Sequence, residues 1–511
     1  MMIFWVTYFI LVVYLHLFQT IAAHAFLNLF LCIFVFFPIP DTLKKKKTVI
    51  IFRNIIGIIL GAVLLWHESY LPSFSILINF IINPELRPSP EFLLKFIFSE
   101  INLKIFLVIA LTLVFAYLLS YTKLKKYFSL FFLICFFIIG FTERSIVSGD
   151  LLGTFYETES KKIINITNNP SNNFDIVIVQ LCSFSWDDLS YVNYDIKPFL
   201  NQFDYLFTNF NTATSYSNPS VIRLLRSTCG QTSHEAIFTD VNSSCYLMQN
   251  LNNAGYSTYT LLNHDGVYAG FNEAITKYGK AGRLINNTSL KPEQISFDGT
   301  SIYNDREVLS LWLETRKNDI SKNAAVFYNG TSLHTGGHYV DSPYLTNGEQ
   351  YKIVLNSVLG DLNNFFEELK RGEKNTIVII IGEHGAALRG SALQPATVRE
   401  IPLPDITKVP VAIKIFGPRF NGDNRSPIII KESASYFSMA QLLAKIIETS
   451  PTDSSQLPQP PEIQASLPEL VSENESGVIL QNQLGLFYRL KKYKTWDIIP
   501  GSKAVKSLNN W

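Results

Sequence analysis

Five long apolar stretches near the amino terminus constrain the fold of this chain more than any other feature. They lie at about residues 2–18, 25–40, 49–66, 103–121 and 126–142. Several approach the ~20 residues that an α-helix needs to cross a bilayer. A water-soluble domain seldom joins runs of this length with so few charges. The sequence therefore predicts a transmembrane domain of five α-helices over residues 1–143.

Lysines beside these stretches predict the orientation of the helices. Lys44 to Lys47 follow the second stretch, and Lys123, Lys125 and Lys126 lie between the fourth and the fifth. Both clusters belong in the cytoplasm by the positive-inside rule. With five crossings, the amino terminus is then inside and everything after residue 143 is outside. This arrangement predicts a multi-pass membrane protein whose large carboxyl-terminal part lies outside the cytoplasm.

The rest of the chain alternates between strand and helix patterns. Predicted strands lie at about 176–179, 256–262, 324–328, 376–381 and 409–416. Predicted helices follow Pro219 and lie near 244–254, 303–316, 349–371 and 434–448. Such alternation is typical of an α/β domain whose mostly parallel central sheet is covered on both faces. We expect a polar linker over residues 144–173, this domain over residues 174–511, and a surface loop or tether at 450–475.

The cysteines outside the apolar stretches predict one disulfide and one free thiol. Cys229 and Cys245 enclose a short polar loop, and in an oxidising compartment they would pair. Closing a loop of this size contributes about 3 kcal/mol by loop-entropy reasoning. Cys182 is left unpaired, directly after the predicted strand at 176–179. Because sites in open α/β sheets lie at the carboxyl ends of strands, Cys182 is either a site residue or a small core residue.

Two further segments carry candidate site residues. Ser217 stands just before Asn218 and Pro219, at the start of a predicted helix. Backbone N–H groups and the helix dipole favour an anion there, which suits a nucleophile that attacks a phosphoester, although a serine in this place can also simply cap the helix. The segment GEHG ends the strand at 376–381 and supplies Glu383 and His384. Carboxylate oxygen, imidazole nitrogen and cysteine sulfur are ordinary zinc ligands, and three of them leave one position open, as in catalytic zinc sites.

A third loop, HTGGH, contains His334 and His338 and follows the predicted strand at 324–328. Two nearby histidines outside a membrane predict a second metal site, a proton donor or a phosphate contact. The net charge of +1 gives no indication of a nucleic-acid partner.

These motifs resemble those of a known enzyme group. A ligand after a strand, a hydroxyl before a helix and an acid–His–Gly after a late strand are the ground plan of the alkaline phosphatase and sulfatase superfamily. The chain is similar to its membrane-anchored phosphoethanolamine transferases, and within them to the cellulose phosphoethanolamine transferases of bacterial cellulose-secretion systems. The resemblance covers about residues 174–430 and rests on the segments LCSFSWDDL, SYSNPSVIRLLRSTCGQTSH, FDGTSIYND, LHTGGHY, GEHGAALRG and VREIPLPDITKVPV. Asn218 and Gly382 depart from the family pattern, which has glycine and proline there.

The resemblance implies a role for each candidate residue. Ser217 would be both the nucleophile and a zinc ligand, with the rest of the zinc sphere made by Cys182, Glu383 and His384. Tyr216 and Arg399 would hold the phosphate group. The loop histidines, His334 and His338, would serve in acid–base catalysis or bind a second metal.

The implied reaction is transfer of phosphoethanolamine from phosphatidylethanolamine to glucose hydroxyls of secreted cellulose, a biofilm polymer. The membrane domain would give access to the lipid donor, and subunits of a cellulose synthase complex are candidate partners. Three alternatives stay open: a transferase that acts on lipid A or another glycan, a sulfatase or phosphodiesterase that uses water, and a non-catalytic membrane scaffold of a cellulose synthase complex.

Overall fold

A computed structural model gives the fold of most of the chain. It describes residues 2–17, 21, 23–36, 47–69, 78, 82–83, 103–120, 127–142, 150–167, 169, 171, 173–340, 347–391, 393–418, 420, 426–463, 468–483, 485–491 and 496–499. The chain divides into two compact units, one containing the helices before residue 147 and the other most of the residues after it.

Helices of the amino-terminal unit coincide with the five predicted apolar stretches. They are α1 Met2–Leu17, α2 Ala25–Phe36, α3 Lys47–Glu68, α4 Leu103–Ser120 and α5 Phe128–Thr142. Among the described residues, Thr48–Glu68 is the one helix long and apolar enough to cross a membrane, and three shorter apolar helices accompany it. Five crossings therefore stay a prediction. Except for Lys47, the lysines that predict the orientation lie outside the described residues.

Aromatic side chains form much of the core of this unit. The ring of Phe9 in α1 lies 5.4 Å from that of Phe132 and 5.7 Å from that of Phe136, both in α5. The buried carboxylate of Glu68, at the end of α3, accepts hydrogen bonds from the Asn28 amide and from the His24 backbone N–H. Both hydrogen bonds reach Oε1, so this oxygen of the buried carboxylate is paired within the unit.

An eight-stranded sheet is the centre of the second unit. Its strands are β1 Phe174–Leu181, β2 Tyr205–Asn211, β3 Tyr256–Leu262, β4 Arg283–Leu284, β7 Asn323–Gly330, β9 Asn375–Gly382, β10 Lys408–Phe416 and β11 Ile428–Ile430. A small sheet contains β5 Pro292–Ile295, β6 Ser301–Tyr303 and β8 His338–Tyr339. The order in the large sheet is β11-β2-β10-β9-β1-β7-β3-β4. Only β10 runs antiparallel to its neighbours, so the predicted mostly parallel sheet is confirmed.

Helices cover both faces of the large sheet. The helices of this unit are α6 Leu151–Glu159, α7 Trp186–Tyr191, α8 Ser217–Leu225, α9 Leu247–Asn253, α10 Asp305–Lys317, α11 Asn347–Arg371 and α12 Tyr436–Thr449, with short turns at Lys197–Leu200, Ala236–Phe238, Ser243–Cys245, Tyr268–Gly270, Phe271–Glu273, Ala274–Tyr278, Pro404–Thr407 and Ser454–Gln456. The large sheet is covered by α8, α9 and α12 on one face and by α10 and α11 on the other. Side chains of β1 alternate between the two apolar layers: Ile176 and Ile178 pack with α8, α9 and α12, whereas Val177 and Val179 pack with α10 and α11. Because both faces are apolar, β1 and its neighbours are buried along their length.

The structure contains regular elements in stretches where the local pattern does not indicate them. Residues 205–211, where no strand is predicted above, form the buried strand β2 between β11 and β10. The expected linker at 144–173 contains α6, whose Phe155 packs on a second sheet near the carboxyl terminus. That sheet consists of β12 Leu470–Glu473, β13 Gly477–Asn482, β14 Gly485–Leu490 and β15 Asp497–Ile498. The expected surface loop at 450–475 therefore ends in a buried strand.

Candidate active site and metal centre

The register of the central strands brings the predicted metal ligands together. Leu181, the last residue of β1, pairs with Gly382, the last residue of β9. Cys182 directly follows β1 and Glu383 directly follows β9, so the two residues leave the sheet side by side. The Glu383 backbone N–H donates to the Leu181 carbonyl at 2.8 Å, which fixes the two loops to each other at this point.

Three potential ligand atoms converge in this place. The Sγ of Cys182 lies 3.8 Å from Nε2 of His384, and Oε1 of Glu383 lies 3.8 Å from the same nitrogen. All three ligand atoms lie within 4.8 Å of one another, and the three residues are 0% exposed. Glu383 and His384 turn to one point because the chain has already left the β9 strand, where neighbours would face opposite ways.

Polar groups in this cluster are unsatisfied without a cation. Oε1 of Glu383 is buried and has no hydrogen-bond partner among the described residues. Burial, and next the Glu383 carboxylate, raise the pKa of the Cys182 thiol to about 12, and burial also raises the pKa of Glu383. A buried carboxylate oxygen without a partner is costly. One divalent cation would satisfy the oxygen, the thiolate and the imidazole, so the donor set fits zinc.

The His384 ring is oriented for such an ion. Its Nδ1 lies 2.9 Å from the Gly385 carbonyl oxygen, which can only accept a hydrogen bond. With the proton on Nδ1 and donated to this carbonyl, the lone pair of Nε2 faces Cys182 and Glu383. Burial, and next the Arg399 charge, hold the pKa of His384 well below its usual value, so the ring is neutral at neutral pH.

Close packing at Gly382 leaves no room for a side chain. A Cβ atom there would lie 2.2 Å from the Phe184 carbonyl oxygen and 2.7 Å from Cβ of Val409. We expect Gly382→Ala to lower the free energy of unfolding by about 1–3 kcal/mol and to weaken metal binding, since Glu383 follows directly. Gly360→Ala is the matched control: Gly360 lies within α11 with open space around it, and alanine there should be neutral or stabilising. The measurements are urea unfolding and metal content. Equal unfolding free energies and equal metal contents in the two variants would contradict the argument.

Ser217 lies beside the three candidate ligands at the first position of α8. Its Oγ is 3.3 Å from Nε2 of His384. Tyr216, in extended conformation, is the N-cap residue, so Ser217 does not cap the helix. The backbone N–H groups of Ser217 and Asn218 precede the first intrahelical bond, in which the Ser220 N–H donates to the Tyr216 carbonyl. The hydroxyl thus meets the ligand cluster at a helix end that favours an anion.

Arg399 connects this cluster with the histidine loop. Its Nη1 lies 3.0 Å from Nδ1 and 3.3 Å from Nε2 of His384, and its Nη2 lies 3.2 Å from Nε2 of His334. The guanidinium carbon lies 5.8 Å from the ring centre of Tyr216. Burial and the Arg399 charge lower the pKa of His334 to about 3, which leaves this ring neutral. The structure therefore places a fixed positive charge beside Ser217, together with Tyr216 and His334.

Among the described residues, the two loop histidines lie apart from the candidate metal group. Nδ1 of His334 lies 2.8 Å from the Thr335 carbonyl oxygen, and Nε2 of the same ring lies 3.2 Å from Nη2 of Arg399. His338 lies in the small sheet, where it pairs with Ile295. In the part of the chain that the structure describes, the metal-binding group contains Cys182, Glu383 and His384 and neither loop histidine. The expected disulfide between Cys229 and Cys245 is present.

Comparisons with known proteins support a family assignment. The profile of the cellulose biosynthesis protein BcsG C-terminal domain matches residues 143–496, and that of its N-terminal domain matches residues 5–139. The chain belongs to the BcsG family. Over 345 residues it is 33% identical to cellulose biosynthesis protein BcsG of Escherichia coli and 32% identical to that of Salmonella typhimurium. Each match covers 66% of this chain and 61% of the relative, so the chain matches less than two thirds of their length.

Among solved structures, the integral membrane protein lipooligosaccharide phosphoethanolamine transferase A from Neisseria meningitidis is similar over 83% of this chain and 95% of that one. The TM-score is 0.42 and the sequence identity is 13%.

Sequence reasoning missed a carboxylate that supports the site of this BcsG-family chain. Asp188, in α7, is 1% exposed. Its carboxylate accepts hydrogen bonds from the backbone N–H groups of Ala386, at 2.6 Å, and Leu388, at 3.0 Å. It also accepts one from the Ser185 hydroxyl at 2.7 Å. Asp188 thus ties the loop after Cys182 to the loop after His384. The adjacent residues Asp187 and Asp188, shortly after the first predicted strand, were the sequence feature that could have indicated this role.

Burial of Asp188 gives a pH dependence that one variant can isolate. Burial raises the pKa of Asp188 from 3.8 to about 6. Because the folded-state pKa is higher, its contribution to stability is present below pH ~4 and is lost as the pH rises through ~6. As the pH rises from ~4 through ~6, we expect the free energy of unfolding of Asp188→Asn to increase by about 3 kcal/mol relative to that of the parent. Urea unfolding of both proteins from pH ~4 to ~7 tests this, and parallel pH curves would contradict it.

A residue near the carboxyl terminus also holds the Arg399 loop. The side-chain amide of Asn474 donates to the backbone carbonyls of Arg399, at 3.2 Å, and Glu400, at 3.1 Å. The Tyr216 hydroxyl donates to the Glu400 carboxylate at 2.8 Å. The carboxyl-terminal sheet therefore positions Arg399, although no motif in that segment indicated a role.

Proposed function

We propose that this chain transfers phosphoethanolamine from phosphatidylethanolamine to glucose hydroxyls of secreted cellulose, at the primary 6-hydroxyl, through a covalent intermediate on Ser217. The observation that carries the proposal is the position of the Ser217 hydroxyl, 3.3 Å from His384 in a buried Cys–Glu–His group that fits zinc. Membership of a cellulose biosynthesis family supports the acceptor.

In the first half of the reaction, the Ser217 oxygen attacks the phosphorus of the lipid. A new O–P bond forms, and the bond from phosphorus to the diacylglycerol oxygen breaks. The proton of the serine hydroxyl ends on diacylglycerol, which leaves. Arg399 and the free N–H groups at the start of α8 are placed to stabilise negative charge on the phosphoryl oxygens. A zinc ion bound to Cys182, Glu383 and His384 supplies a Lewis acid, which lowers the pKa of a nearby hydroxyl and stabilises phosphoryl charge.

In the second half, a glucose hydroxyl attacks the same phosphorus and the bond to the Ser217 oxygen breaks. The proton of the sugar hydroxyl returns to Ser217, so the enzyme is regenerated. His334 holds Arg399 through its Nε2, 3.2 Å away, and keeps the guanidinium directed at the phosphate position. A role of His338 in acid–base catalysis is implied only by the resemblance to the transferase family.

The proposed location is the bacterial inner membrane, with the catalytic unit in the periplasm. The lysine pattern and the apolar helix Thr48–Glu68 support an anchor, and the pair Cys229–Cys245 suits an oxidising compartment. A donor drawn from the outer face of the membrane explains why one chain joins membrane helices to a soluble unit. Subunits of a cellulose synthase complex are proposed partners.

Full-length protein in phosphatidylethanolamine vesicles, supplied with cellohexaose, tests the function. We expect phosphoethanolamine on cellohexaose, located by mass spectrometry and phosphorus NMR, with one diacylglycerol released per transfer. Release of free phosphoethanolamine regardless of acceptor would instead indicate a hydrolase. Modification of lipid A but not of cellohexaose would indicate a glycolipid transferase. Bound zinc without any turnover would favour the scaffold.

A further inference from the structure

The segment FDGT, residues 297–300, has no role in the chemistry described above, although it lies beside the site. It forms the tip of the hairpin between β5 and β6. Two backbone hydrogen bonds close this tip: the Ser296 N–H donates to the Thr300 carbonyl at 2.8 Å, and the Gly299 N–H donates to the Ser296 carbonyl at 2.9 Å. Gly299 has φ of +90°, a conformation that favours glycine. Phe297 is therefore presented on a closed, well-defined turn.

The ring of Phe297 lies directly against the catalytic group. It stacks on the His334 ring with centroids 4.6 Å apart and planes 20° apart. His334 in turn contacts Arg399. A half-buried phenyl ring thus continues the wall of the site outward from the residues that we assign to the phosphate.

A second aromatic residue joins this wall from the other side. The ring of Tyr268 meets Phe297 edge to face, with centroids 4.9 Å apart. Tyr268 is also half-buried, and its neighbours Val267 and Ala269 are exposed. The Ala269 carbonyl accepts a hydrogen bond of 2.7 Å from the side-chain amide of Asn218, the residue after Ser217. The turn that carries Tyr268 is thereby attached to the start of α8.

Two charged side chains, Asp298 and Arg399, influence the Tyr268 hydroxyl. Burial raises the pKa of Tyr268, and the positive charge of Arg399 opposes this rise. The carboxylate of Asp298, next to Phe297, acts on the same hydroxyl. The two rings therefore extend outward from His334, and the turn that carries Tyr268 is attached to Asn218, the residue after Ser217.

We propose that Tyr268 and Phe297 form the acceptor subsite, an aromatic shelf that binds the glucan beside Ser217. This inference rests on the proposed function. A β-linked glucan has flat apolar C–H faces and equatorial hydroxyl edges. Aromatic rings suit the faces, and a carboxylate such as Asp298 suits the hydroxyl edges. In this proposal the glucan binds to the shelf, whereas the phosphate of the donor lipid binds to Arg399 and the start of α8.

Separate measurement of the two half-reactions tests the shelf. Full-length protein is incubated with phosphatidylethanolamine alone, and the adduct on Ser217 is followed by intact mass. Cellohexaose is then added, and the rate of adduct loss is measured against its concentration. Maltohexaose, an α-linked glucan of the same composition, serves as the comparison acceptor.

The variants are Phe297→Leu and Tyr268→Leu, with Phe297→Tyr and Tyr268→Phe as conservative replacements. Phe238→Leu is the matched control, because Phe238 is a partly exposed aromatic residue that packs on His234 and Tyr278. We expect each leucine variant to form the adduct at about the parent rate and to need about tenfold more cellohexaose for discharge. The conservative replacements and the control should behave like the parent, and maltohexaose should be a poorer acceptor for all of them.

Each other result overturns the inference in a distinct way. Unchanged discharge by cellohexaose in both leucine variants would show that the shelf does not bind the acceptor, while the proposed function would stand. An equal loss in both half-reactions would show that the rings support His334 and Arg399 instead. Absence of any adduct in the parent would reject the proposed function, and the shelf with it.

Discussion

Ser217→Ala is expected to abolish adduct formation and to reduce transfer of phosphoethanolamine by about 10⁴-fold or more, because it removes the nucleophile itself. Folding and metal binding should survive. The N-cap is Tyr216, and the variant keeps the three buried candidate ligands Cys182, Glu383 and His384. The measurements are turnover with phosphatidylethanolamine and cellohexaose, zinc content, and the midpoint of thermal unfolding.

Ser310→Ala is the matched control for this loss. Ser310 lies within α10, where its hydroxyl donates only to the Arg306 carbonyl of the same helix. Its replacement should leave turnover, zinc content and the unfolding midpoint unchanged. Turnover of Ser217→Ala within about tenfold of the parent would contradict a covalent mechanism at this residue.

Cys182→Ala is expected to remove bound zinc and, with it, turnover. The variant deletes one of three protein ligands and leaves Glu383 and His384 buried without their partner. Turnover should fall by about 10³-fold or more, since both charge stabilisation and activation of the nucleophile are lost. Zinc content after gel filtration and turnover with added zinc are the measurements. Cys135→Ser provides the control, because Cys135 lies in α5 of the other unit.

The same site predicts how zinc affinity changes with pH. Zinc binds the thiolate, whereas burial raises the pKa of the free Cys182 thiol to about 12. His384, with a lowered pKa, is already neutral. Binding therefore releases about one proton at neutral pH, and affinity should rise about tenfold for each pH unit. An affinity that is independent of pH would show that Cys182 is not a ligand.

The ligand group could be predicted from the sequence because it depends on strand ends. Two fully apolar runs predicted two buried strands. The structure pairs these strands side by side, so the residues after each run, Cys182 and the Glu383–His384 pair, meet. Ser217 could also be predicted, because it stands at the start of a predicted helix, where backbone N–H groups and the helix dipole favour an anion. Strand pairing converts local pattern into three-dimensional proximity, so residues 200 positions apart were assigned to one place.

Other features depend on packing that no local pattern reports. Strand β2, Tyr205–Asn211, is rich in polar and aromatic residues and does not read as a β-branched run, although its neighbours bury it. Helix α6 and the carboxyl-terminal sheet are short elements that gain stability from each other through Phe155, Val478 and Phe487. Tertiary contacts overrode weak local propensity in both cases. Asp188 and Asn474 were missed since their roles are hydrogen bonds to distant backbone groups.

Incubation of the full-length protein with donor lipid alone, followed by intact mass and peptide mapping, tests the central claim most directly. The account predicts a gain of one phosphoethanolamine group on the peptide that contains Ser217, in protein that retains about one zinc per chain. Cellohexaose should then discharge it. Lipid turnover without an adduct, or an adduct on a different residue, would contradict the account.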